Sequence, residues 1–454
     1  MSPGAEHAAH YLARYAEPEA RLGAAVERAY SAALVVPVCR ESLGFLAGYQ
    51  QALSDSAGRV LLVVVVNAAE GASAETHAEN QRLLADLALG FPDRALLRVP
   101  GVSTEAWLAR AEQYDLLWLD RASVGARLPR GEGVGMARKL GADLAAWLWS
   151  RGQLDCPQLG CGDADAVLPS DYFARLASDA AEPEWSTALI WPFQHEPGGD
   201  GAIDAATVLY EISLRYYVLG LSAAGSPYAY QSVGSSLSFD ATAYASVRGV
   251  PKRAAAEDFY LLDKLAKVGP LRRAAGAPIR LRARASERVP FGTGRRTREI
   301  AECSAQGLGF ELYSPELFRA LEAVLVGLNA VADSAQPGAL QSAVAERVPD
   351  LSNAVRSALE RLKVFAALAA AVSQAPKGAV LRRRLHTWFD ALRTLRFMHL
   401  LRDAGVPSLP WRDALLRAPF LRAPFADGPS PEAVCARLAR AEALLPPRIG
   451  PTLF

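Results

Sequence analysis

The chain has 454 residues, so a usual size of about 150 residues per domain predicts two or three domains. Hydrophobic residues make up 51% of the chain and charged residues 21%, which excludes a mainly disordered or fibrous protein. The 49 Lys and Arg against 48 Asp and Glu leave a net charge of +1, which argues against a protein that coats nucleic acid, because such proteins carry a basic excess.

The cysteines and the apolar runs bear on location. Five cysteines, an odd number and widely spread, disfavour a disulfide framework and favour a reducing cytoplasm. No apolar segment typical of a signal peptide is visible near the first residues. The longest strongly apolar run, residues 60–66, is about a third of the ~20 residues that span a bilayer. We expect a cytoplasmic protein without a transmembrane segment, with peripheral membrane contact left open.

Strand and helix patterns alternate in the first two thirds of the chain. Residues 18–30 show a helical pattern. The β-rich apolar runs 32–38 and 60–66 are typical of strands buried on both faces, and residues 42–53 between them predict a helix. This order favours a parallel βαβ unit and an α/β domain. Further strands are predicted at 95–99, 116–119, 159–162 and 187–191, and further helices at 74–87, 104–112 and 134–150.

The last third of the chain changes to a helical period. Ser314-Pro315 supplies an N-cap and a proline at the first helical position, and apolar residues then recur at helix spacing. Helices are predicted from residue 314 onward and at 351–375, 379–404 and 431–445. The patterns predict an N-terminal helical extension (1–29), an α/β catalytic domain (30–300) and an all-α C-terminal domain (301–454).

The strongest chemical signal is Asp163-Ala164-Asp165, which directly follows the predicted strand 159–162. Mg²⁺ is usually held by one or two carboxylates together with substrate phosphates. Ligands of open α/β sheets bind at the carboxyl ends of the strands, where this motif lies. We therefore predict a divalent-cation site here, and the alternative is a solvated, Asp-rich turn before a helix.

Three further segments accompany this motif: residues 35–41 (Val-Val-Pro-Val-Cys-Arg-Glu), Gly234-Ser235-Ser236, and Glu257-Asp258 followed by Phe-Tyr-Leu-Leu. Taken in chain order over residues 30–270, the four segments resemble four motifs of family 2-type GT-A glycosyltransferases. Residues 35–41 resemble the first strand, and Asp163-Ala164-Asp165 resembles the Asp-x-Asp motif. Gly234-Ser235-Ser236 resembles the acceptor-side segment, and Glu257-Asp258 resembles the catalytic-base motif. The resemblance implies a GT-A fold, a Rossmann-like α/β domain that binds a nucleotide-diphosphate sugar. The helical last third lies outside the resemblance.

The resemblance also implies residue roles. Asp165 would ligate Mn²⁺ or Mg²⁺ bridging the donor diphosphate, and Asp163 would contact the ribose or the metal through water. The cation would neutralise the leaving group. Asp258 is the expected general base, with Glu257 beside it. The alternative for both acids is stabilisation of a helix N-terminus. The donor is expected to contact Pro37, Val38, Cys39, Glu41, Asn67, Arg138, Asp163, Gly234 and Arg288.

Some of these assignments have alternatives in the residues themselves. Family members commonly place an Asp after the second strand, where this chain has Asn67, which can still hydrogen-bond a nucleotide base. Arg138 either pairs with the diphosphate or is a surface arginine. The nearby Gly133-Val134-Gly135 lacks the third glycine of a dinucleotide loop. His195 follows a predicted strand and is a third metal ligand, an acceptor contact, or a loop histidine with neither role.

Residues 270–300 form the most basic stretch, with nine arginines against two glutamates. In residues 279–284 the alternation places Arg280, Arg282 and Arg284 on one face of a strand. The loop that follows contains Arg288. This stretch could close over a diphosphate or receive an anionic acceptor, and the alternative is a sheet edge protected by charge.

The sequence thus predicts a metal-dependent, inverting glycosyltransferase that moves a single sugar from a UDP- or GDP-sugar to an acceptor hydroxyl. A Gln-x-x-Arg-Trp signature typical of processive members is absent, which favours single transfer. The alternatives are a nucleotidyltransferase on a related fold and a non-catalytic binding protein with a GT-A-like fold. We expect no nucleic-acid partner, and a homo-oligomer formed through the helical domain stays open.

Overall fold

A computed structural model of the chain describes residues 3–285, 292–421 and 428–454. Arg288, one of the predicted donor contacts, lies outside the described residues. By their contacts the residues fall into two compact units: Met1–Gly199 with Ser232–Arg295, and Asp200–Gln231 with Arg296–Phe454.

Helices and strands alternate through the first unit, and helices dominate the second. The α-helices are α1 (Pro3–Arg14), α2 (Ala47–Ser54), α3 (Ala74–Gly90), α4 (Val134–Ser150), α5 (Tyr172–Ala180), α6 (Gly201–Ala223), α7 (Ala241–Ser246), α8 (Glu257–Val268), α9 (Thr293–Ala305), α10 (Pro315–Ser334), α11 (Ala339–Arg347), α12 (Ser352–Arg361), α13 (Val364–Gln374), α14 (Ala379–Trp388), α15 (Ala391–Asp403), α16 (Trp411–Arg417) and α17 (Pro431–Ala443). The strands are β1 (Ala32–Val38), β2 (Val60–Asn67), β3 (Ala95–Leu97), β4 (Ala106–Arg110), β5 (Tyr114–Arg121), β6 (Gln158–Cys161), β7 (Ala166–Val167), β8 (Ala188–Ile190), β9 (Phe193–Glu196), β10 (Leu237–Asp240), β11 (Leu271–Arg273), β12 (Ile279–Arg282), β13 (Glu311–Leu312), β14 (Leu409–Pro410) and β15 (Arg448–Ile449). Short 3-10 helices cover Pro18–Ala25, Leu43–Leu46, Gly234–Ser236 and Pro451–Leu453.

A large mixed sheet forms the core of the first unit, with its strands in the order β11-β8-β10-β6-β1-β2-β5-β4-β3. β1 pairs in parallel with β2 from Ala32↔Val60 to Val38↔Val66, and with β6 on its other side. Every residue of β1 and β2 is buried, as expected of central strands covered on both faces. The predicted α/β class and the opening parallel βαβ unit are confirmed.

The predicted helix at 104–112 is wrong, because this segment contains β4. β4 lies antiparallel between β3 and β5, and Trp107 faces Trp118 across the pair with ring centroids 5.7 Å apart. Ala106 and Leu108 are buried while Trp107 between them is half-buried, which is the two-residue period of a strand. A tertiary partner, β5, therefore decides the conformation of a segment whose composition suits a helix.

The second unit is mainly helical, and it includes α6, although the sequence predicts residues 200–231 to belong to the α/β domain. The apolar face of α6 packs against α10, where a Cβ on Gly220 would lie 2.5 Å from the Phe318 ring. Arg215 of α6 also pairs with Glu442 of α17 at 2.7 Å. These contacts explain why α6 clusters with helices far along the chain.

Two long helices predicted in this unit are each divided in two. The segment 351–375 forms α12 and α13, which are separated at Lys363, whose φ of +59° is left-handed. The segment 379–404 forms α14 and α15, because Asp390 caps a new helix by accepting a hydrogen bond from the Arg393 amide. Among the helices of the described residues, none has the length and apolar character needed to cross a bilayer.

Candidate active site

The Asp-x-Asp motif lies in a tight turn where β6 ends, at the edge of the sheet where parallel β1 ends as well. The Gly162 amide donates to the Val35 carbonyl at 2.9 Å, which extends the pairing of β6 with β1 up to the motif. The Asp163 carbonyl then accepts a hydrogen bond from the Ala166 amide at 2.9 Å, which closes the turn. The carboxyl edge of the central strands therefore presents both aspartates, as the sequence predicts.

Helix α2 fixes this turn from one side. The Gly48 carbonyl accepts from the Leu168 amide at 3.0 Å, and a Cβ on Gly48 would lie 2.3 Å from the Ala166 carbonyl oxygen. The next residue, Tyr49, is buried and donates its hydroxyl proton to the Asp163 carbonyl. Burial, with the nearby Asp163 charge, raises the pKa of Tyr49, so the phenol stays a donor. The sequence does not single out either residue, because both read as part of an ordinary helix.

Arg138, on the second turn of α4, is buried and forms two ion pairs. Its side chain is 1% exposed, its Nη2 lies 2.8 Å from Asp163 Oδ1, and its Nε lies 3.2 Å from Glu257 Oε1. Its Nη1 also donates to the Gly162 carbonyl at 3.4 Å. Arg138 is therefore not a surface arginine, and its guanidinium group is bound to Asp163, Glu257 and the Gly162 carbonyl. Burial raises the pKa of Asp163, and Arg138 acts against this rise.

The N-terminus of α4 is occupied by the protein's own backbone. The Gly135 amide donates to the Arg253 carbonyl at 3.1 Å, and a Cβ on Gly135 would lie 2.5 Å from the Pro251 carbonyl oxygen. A Cβ on Gly133 would lie 3.2 Å from Ala254 Cα. The absence of side chains at Gly133 and Gly135 therefore lets the loop before α8 pack against the start of α4. This packing explains the Gly-x-Gly pattern without a bound dinucleotide.

The two acidic residues that open α8 differ in environment. Glu257 is buried and paired with Arg138. Asp258 is half-buried, and its Oδ1 accepts from the Phe259 amide at 2.7 Å. Burial, followed by the charge of Glu257, raises the pKa of Asp258 to about 7. Asp258 thus has the protonation behaviour suited to a general base near neutral pH, whereas Glu257 is held as the partner of an arginine.

The segment that begins at Gly234 lies beside Arg138 and Asp258. A Cβ at Gly234 would lie 2.7 Å from Arg138 Nη2 and 3.6 Å from Asp258 Oδ2. The short helix Gly234–Ser236 is buried and leads directly into β10, which is antiparallel to β6. The lack of a side chain therefore lets this segment reach the Arg138 guanidinium and places it beside the Asp258 carboxyl.

A second arginine, Arg284, contacts the other side of the motif. Its Nη2 lies 2.7 Å from Asp165 Oδ2, and its Nη1 donates to Glu41 Oε1. β12 positions it, because the Arg282 amide donates to the Asp165 carbonyl at 3.1 Å. Arg280 and Arg282 are exposed as alternation predicts, and they hydrogen-bond to Glu196 and to the Gly198 carbonyl. The sequence predicts Arg284 on the same strand as Arg280 and Arg282, whereas β12 ends at Arg282 and Arg284 follows it by two residues. The sequence does not predict the contact of Arg284 with the motif.

The structure does not bring His195 together with the two aspartates in one ligand set. His195 lies on β9 opposite Leu281 of β12, and Leu281 lies opposite Ala166 of β7. Two strand spacings, about 10 Å, therefore separate its backbone from the end of the motif. In residues 3–285, 292–421 and 428–454, no group of three or more His, Cys, Asp or Glu side chains is arranged to hold a metal ion.

The remaining predicted donor contacts lie along the ends of β1 and β2. Pro37 and Val38 are buried within β1, and Cys39 and Glu41 are partly exposed just after it. Asn67 is buried at the end of β2, where its Nδ2 donates to the Val38 and Val65 carbonyls at 3.0 and 3.2 Å. The Asn67 amide group therefore already ties β2 to β1.

The donor groups of the motif fit a hard divalent cation. All are carboxylate oxygens, and the side chains of Asp163 and Asp165 are 34% and 23% exposed. Arg138 engages Oδ1 of Asp163, and Arg284 engages Oδ2 of Asp165. In the described part of the chain, the carboxyl groups of Glu41, Asp163, Asp165, Glu257 and Asp258 lie near the guanidinium groups of Arg138 and Arg284, and these seven groups together carry a charge of −3 when all are ionised. A phosphate-bearing ligand would therefore need a further cation here.

No family model matches the chain, and no curated protein matches it. Among solved structures, the mannosyltransferase PcManGT from Pyrobaculum calidifontis, in complex with GDP-Man and Mn2+, is similar with a TM-score of 0.34 and 15% sequence identity. The match covers 86% of this chain and 93% of that one.

Proposed function

We propose that this protein is a glycosyltransferase with a GT-A fold of the family 2 type. It moves a single sugar from a UDP- or GDP-sugar to an acceptor hydroxyl, with inversion and with the help of Mn²⁺ or Mg²⁺. One observation carries the proposal. The Asp258 carboxyl group, whose pKa burial raises to about 7, lies close to Gly234 and Arg138, and Arg138 pairs with Asp163 of the Asp-x-Asp motif. A general base and a diphosphate site are the two parts that sugar transfer requires.

Asp258 supplies the base in this mechanism. Its carboxylate takes the proton of the acceptor hydroxyl as that oxygen forms a bond to the anomeric carbon. The bond from the anomeric carbon to the diphosphate breaks, and the nucleoside diphosphate leaves with the bonding electrons. A cation bound through Asp163 and Asp165 would stabilise the charge that develops on the diphosphate. Because the base acts only when ionised, the rate of transfer is expected to rise with pH through about 7.

Arg138 and Glu257 have a positioning role in this proposal. Arg138 holds Asp163 on one side and Glu257 on the other, so it fixes the distance between the motif and the start of α8. The charge of Glu257 in turn contributes to the raised pKa of Asp258. Neither residue needs to contact the donor for this function.

The test begins with donor binding by the full chain. A thermal-shift panel of UDP-, GDP- and dTDP-sugars with Mn²⁺ should identify the donor, because a ligand that binds only the native state raises its melting temperature. Asp165→Asn should lose the Mn²⁺-dependent shift. Asp258→Asn should keep it, and should lose transfer by about 10²–10⁴-fold, the usual contribution of a general base.

Three outcomes would contradict the proposal. Near wild-type transfer by Asp258→Asn would show that another group is the base. Release of pyrophosphate from a nucleoside triphosphate and a sugar phosphate would identify a nucleotidyltransferase. Donor binding without release of nucleoside diphosphate, under any acceptor condition, would indicate a binding protein.

A further inference from the structure

Arg284 connects the two carboxylates that border the exposed side of the motif. One guanidinium nitrogen lies 2.7 Å from Asp165 Oδ2, and another donates to Glu41. We propose that Arg284 competes with the divalent cation for Asp165: it pairs with Asp165 when no donor is bound, releases it when the cation binds, and then pairs with the diphosphate. This inference rests on the proposed function and adds a residue that controls cation and donor binding.

The two arginines of the site differ in their freedom to move. Arg138 is 1% exposed and pairs with Glu257, which is itself buried, so its departure would leave a buried charge without a partner. Arg284 is 30% exposed, and both of its partners are also in contact with solvent. An ion pair that is partly open to solvent costs less to break than one that is buried. Arg284 is therefore the arginine that can leave the motif when a stronger cation arrives.

The backbone keeps Arg284 near the motif after such an exchange. The hydrogen bond from the Arg282 amide to the Asp165 carbonyl holds the end of β12 against the turn, and β12 pairs there with β7. Only the side chain of Arg284 needs to move. Its planar fork suits two oxygens of a diphosphate, a geometry that a lysine cannot reproduce.

The size of the competition follows from Coulomb's law. A divalent cation on Asp165 would lie about 5 Å from the guanidinium if Arg284 stayed in place, and even with the dielectric constant of water this repulsion weakens binding about tenfold. Arg284→Gln should therefore bind Mn²⁺ about tenfold more tightly than the wild type. The same variant should bind pyrophosphate about tenfold more weakly at saturating Mn²⁺, because the fork is lost.

The experiment measures free Mn²⁺ by electron paramagnetic resonance during titration of the donor-free full chain, and pyrophosphate binding by calorimetry. The matched control is Arg282→Gln, which removes the same charge two residues earlier, at the end of β12, but not the contact with the Asp165 side chain. It should change both affinities by less than about twofold. Arg284→Lys keeps the charge without the fork, so its Mn²⁺ affinity should stay near wild type while its pyrophosphate affinity falls.

The outcomes separate this inference from the proposed function. If Asp165→Asn loses Mn²⁺ binding while Arg284→Gln binds Mn²⁺ as the wild type does, the role of Arg284 is overturned and the cation site stands. If Asp165→Asn binds Mn²⁺ normally, the cation site itself is overturned. Opposite changes of the two affinities in Arg284→Gln, absent in Arg282→Gln, support the competition.

Discussion

Asp258→Asn should change the free energy of unfolding by an amount that depends on pH. In the folded protein burial raises the pKa of Asp258 from 3.8 to about 7, so folding disfavours its ionised form. The wild type therefore has the full benefit of a protonated Asp258 below about pH 4 and loses it as the pH rises through 7. An asparagine has no proton to lose. The variant should become more stable relative to the wild type as the pH increases.

The magnitude follows from the same pKa. Between pH 5.5 and pH 8.5 the wild type would titrate Asp258 from mostly protonated to ionised in the folded state, which costs at most roughly 2 kcal/mol of stability. Because the side chain is only half-buried, screening by solvent reduces this to about 1 kcal/mol. The contribution of Asp258 to the free energy of unfolding therefore falls as the pH rises toward 7 and stays low above pH 7.

The assay is urea unfolding of the wild type and Asp258→Asn at pH 5.5 and 8.5, followed by far-UV circular dichroism. The free-energy advantage of the variant should be about 1 kcal/mol larger at pH 8.5 than at pH 5.5. Asp55→Asn, which alters an exposed carboxyl group in the same unit, is the matched control and should show no such pH dependence. An advantage that is constant or that shrinks with pH would refute a raised pKa at Asp258.

Two further substitutions test the packing around Arg138. Arg138→Met should lower the free energy of unfolding by about 3–5 kcal/mol, because it leaves buried Glu257 without its ion-pair partner. Arg280→Met, at a half-exposed pair with Glu196, should cost less than about 1 kcal/mol. Equal losses in urea unfolding would show that the buried pair stabilises the fold no more than the exposed pair does. Gly234→Ala should cost about 1–3 kcal/mol and reduce donor binding, since its Cβ would lie 2.7 Å from the guanidinium, while Gly201→Ala, with no atom within 4 Å, should be close to neutral; a tolerated alanine at 234 would mean that the segment does not approach Arg138.

The fold elements that can be predicted well from sequence are those whose own residues decide the conformation. β1, β2 and α4 begin where predicted, because a continuous apolar run between polar residues has few alternatives to a buried strand, and a long apolar period favours a helix. The segment 104–112 is the opposite case. Its strand, β4, depends on pairing with β5, a tertiary contact that the local periodicity of the segment does not reveal.

In the candidate site, too, local features can be predicted from the sequence, and contacts between distant residues cannot. The Asp-x-Asp turn can be predicted, because a strand end and two carboxylates are local features. The partners of those carboxylates cannot, since Arg138 lies 25 residues before Asp163 and Arg284 lies far beyond Asp165 along the chain. Tyr49 and Gly48 carry no local signal at all, and only the packing of α2 on the turn reveals their role.

The neighbouring acids Glu257 and Asp258 show how magnitudes separate two explanations of one motif. Stabilisation of a helix N-terminus would apply to both residues and would favour their ionised forms by about 0.3–1 kcal/mol, which lowers a carboxyl pKa. The pKa of Asp258 is instead raised to about 7, so burial and the charge of Glu257 outweigh the helix dipole at this position. Arg138 pairs with Glu257, and the charge of Glu257 contributes to the raised pKa of Asp258. A purely structural role at the start of α8 therefore accounts for Glu257 but not for Asp258, whose cost to the fold is explained if its proton affinity is used in catalysis.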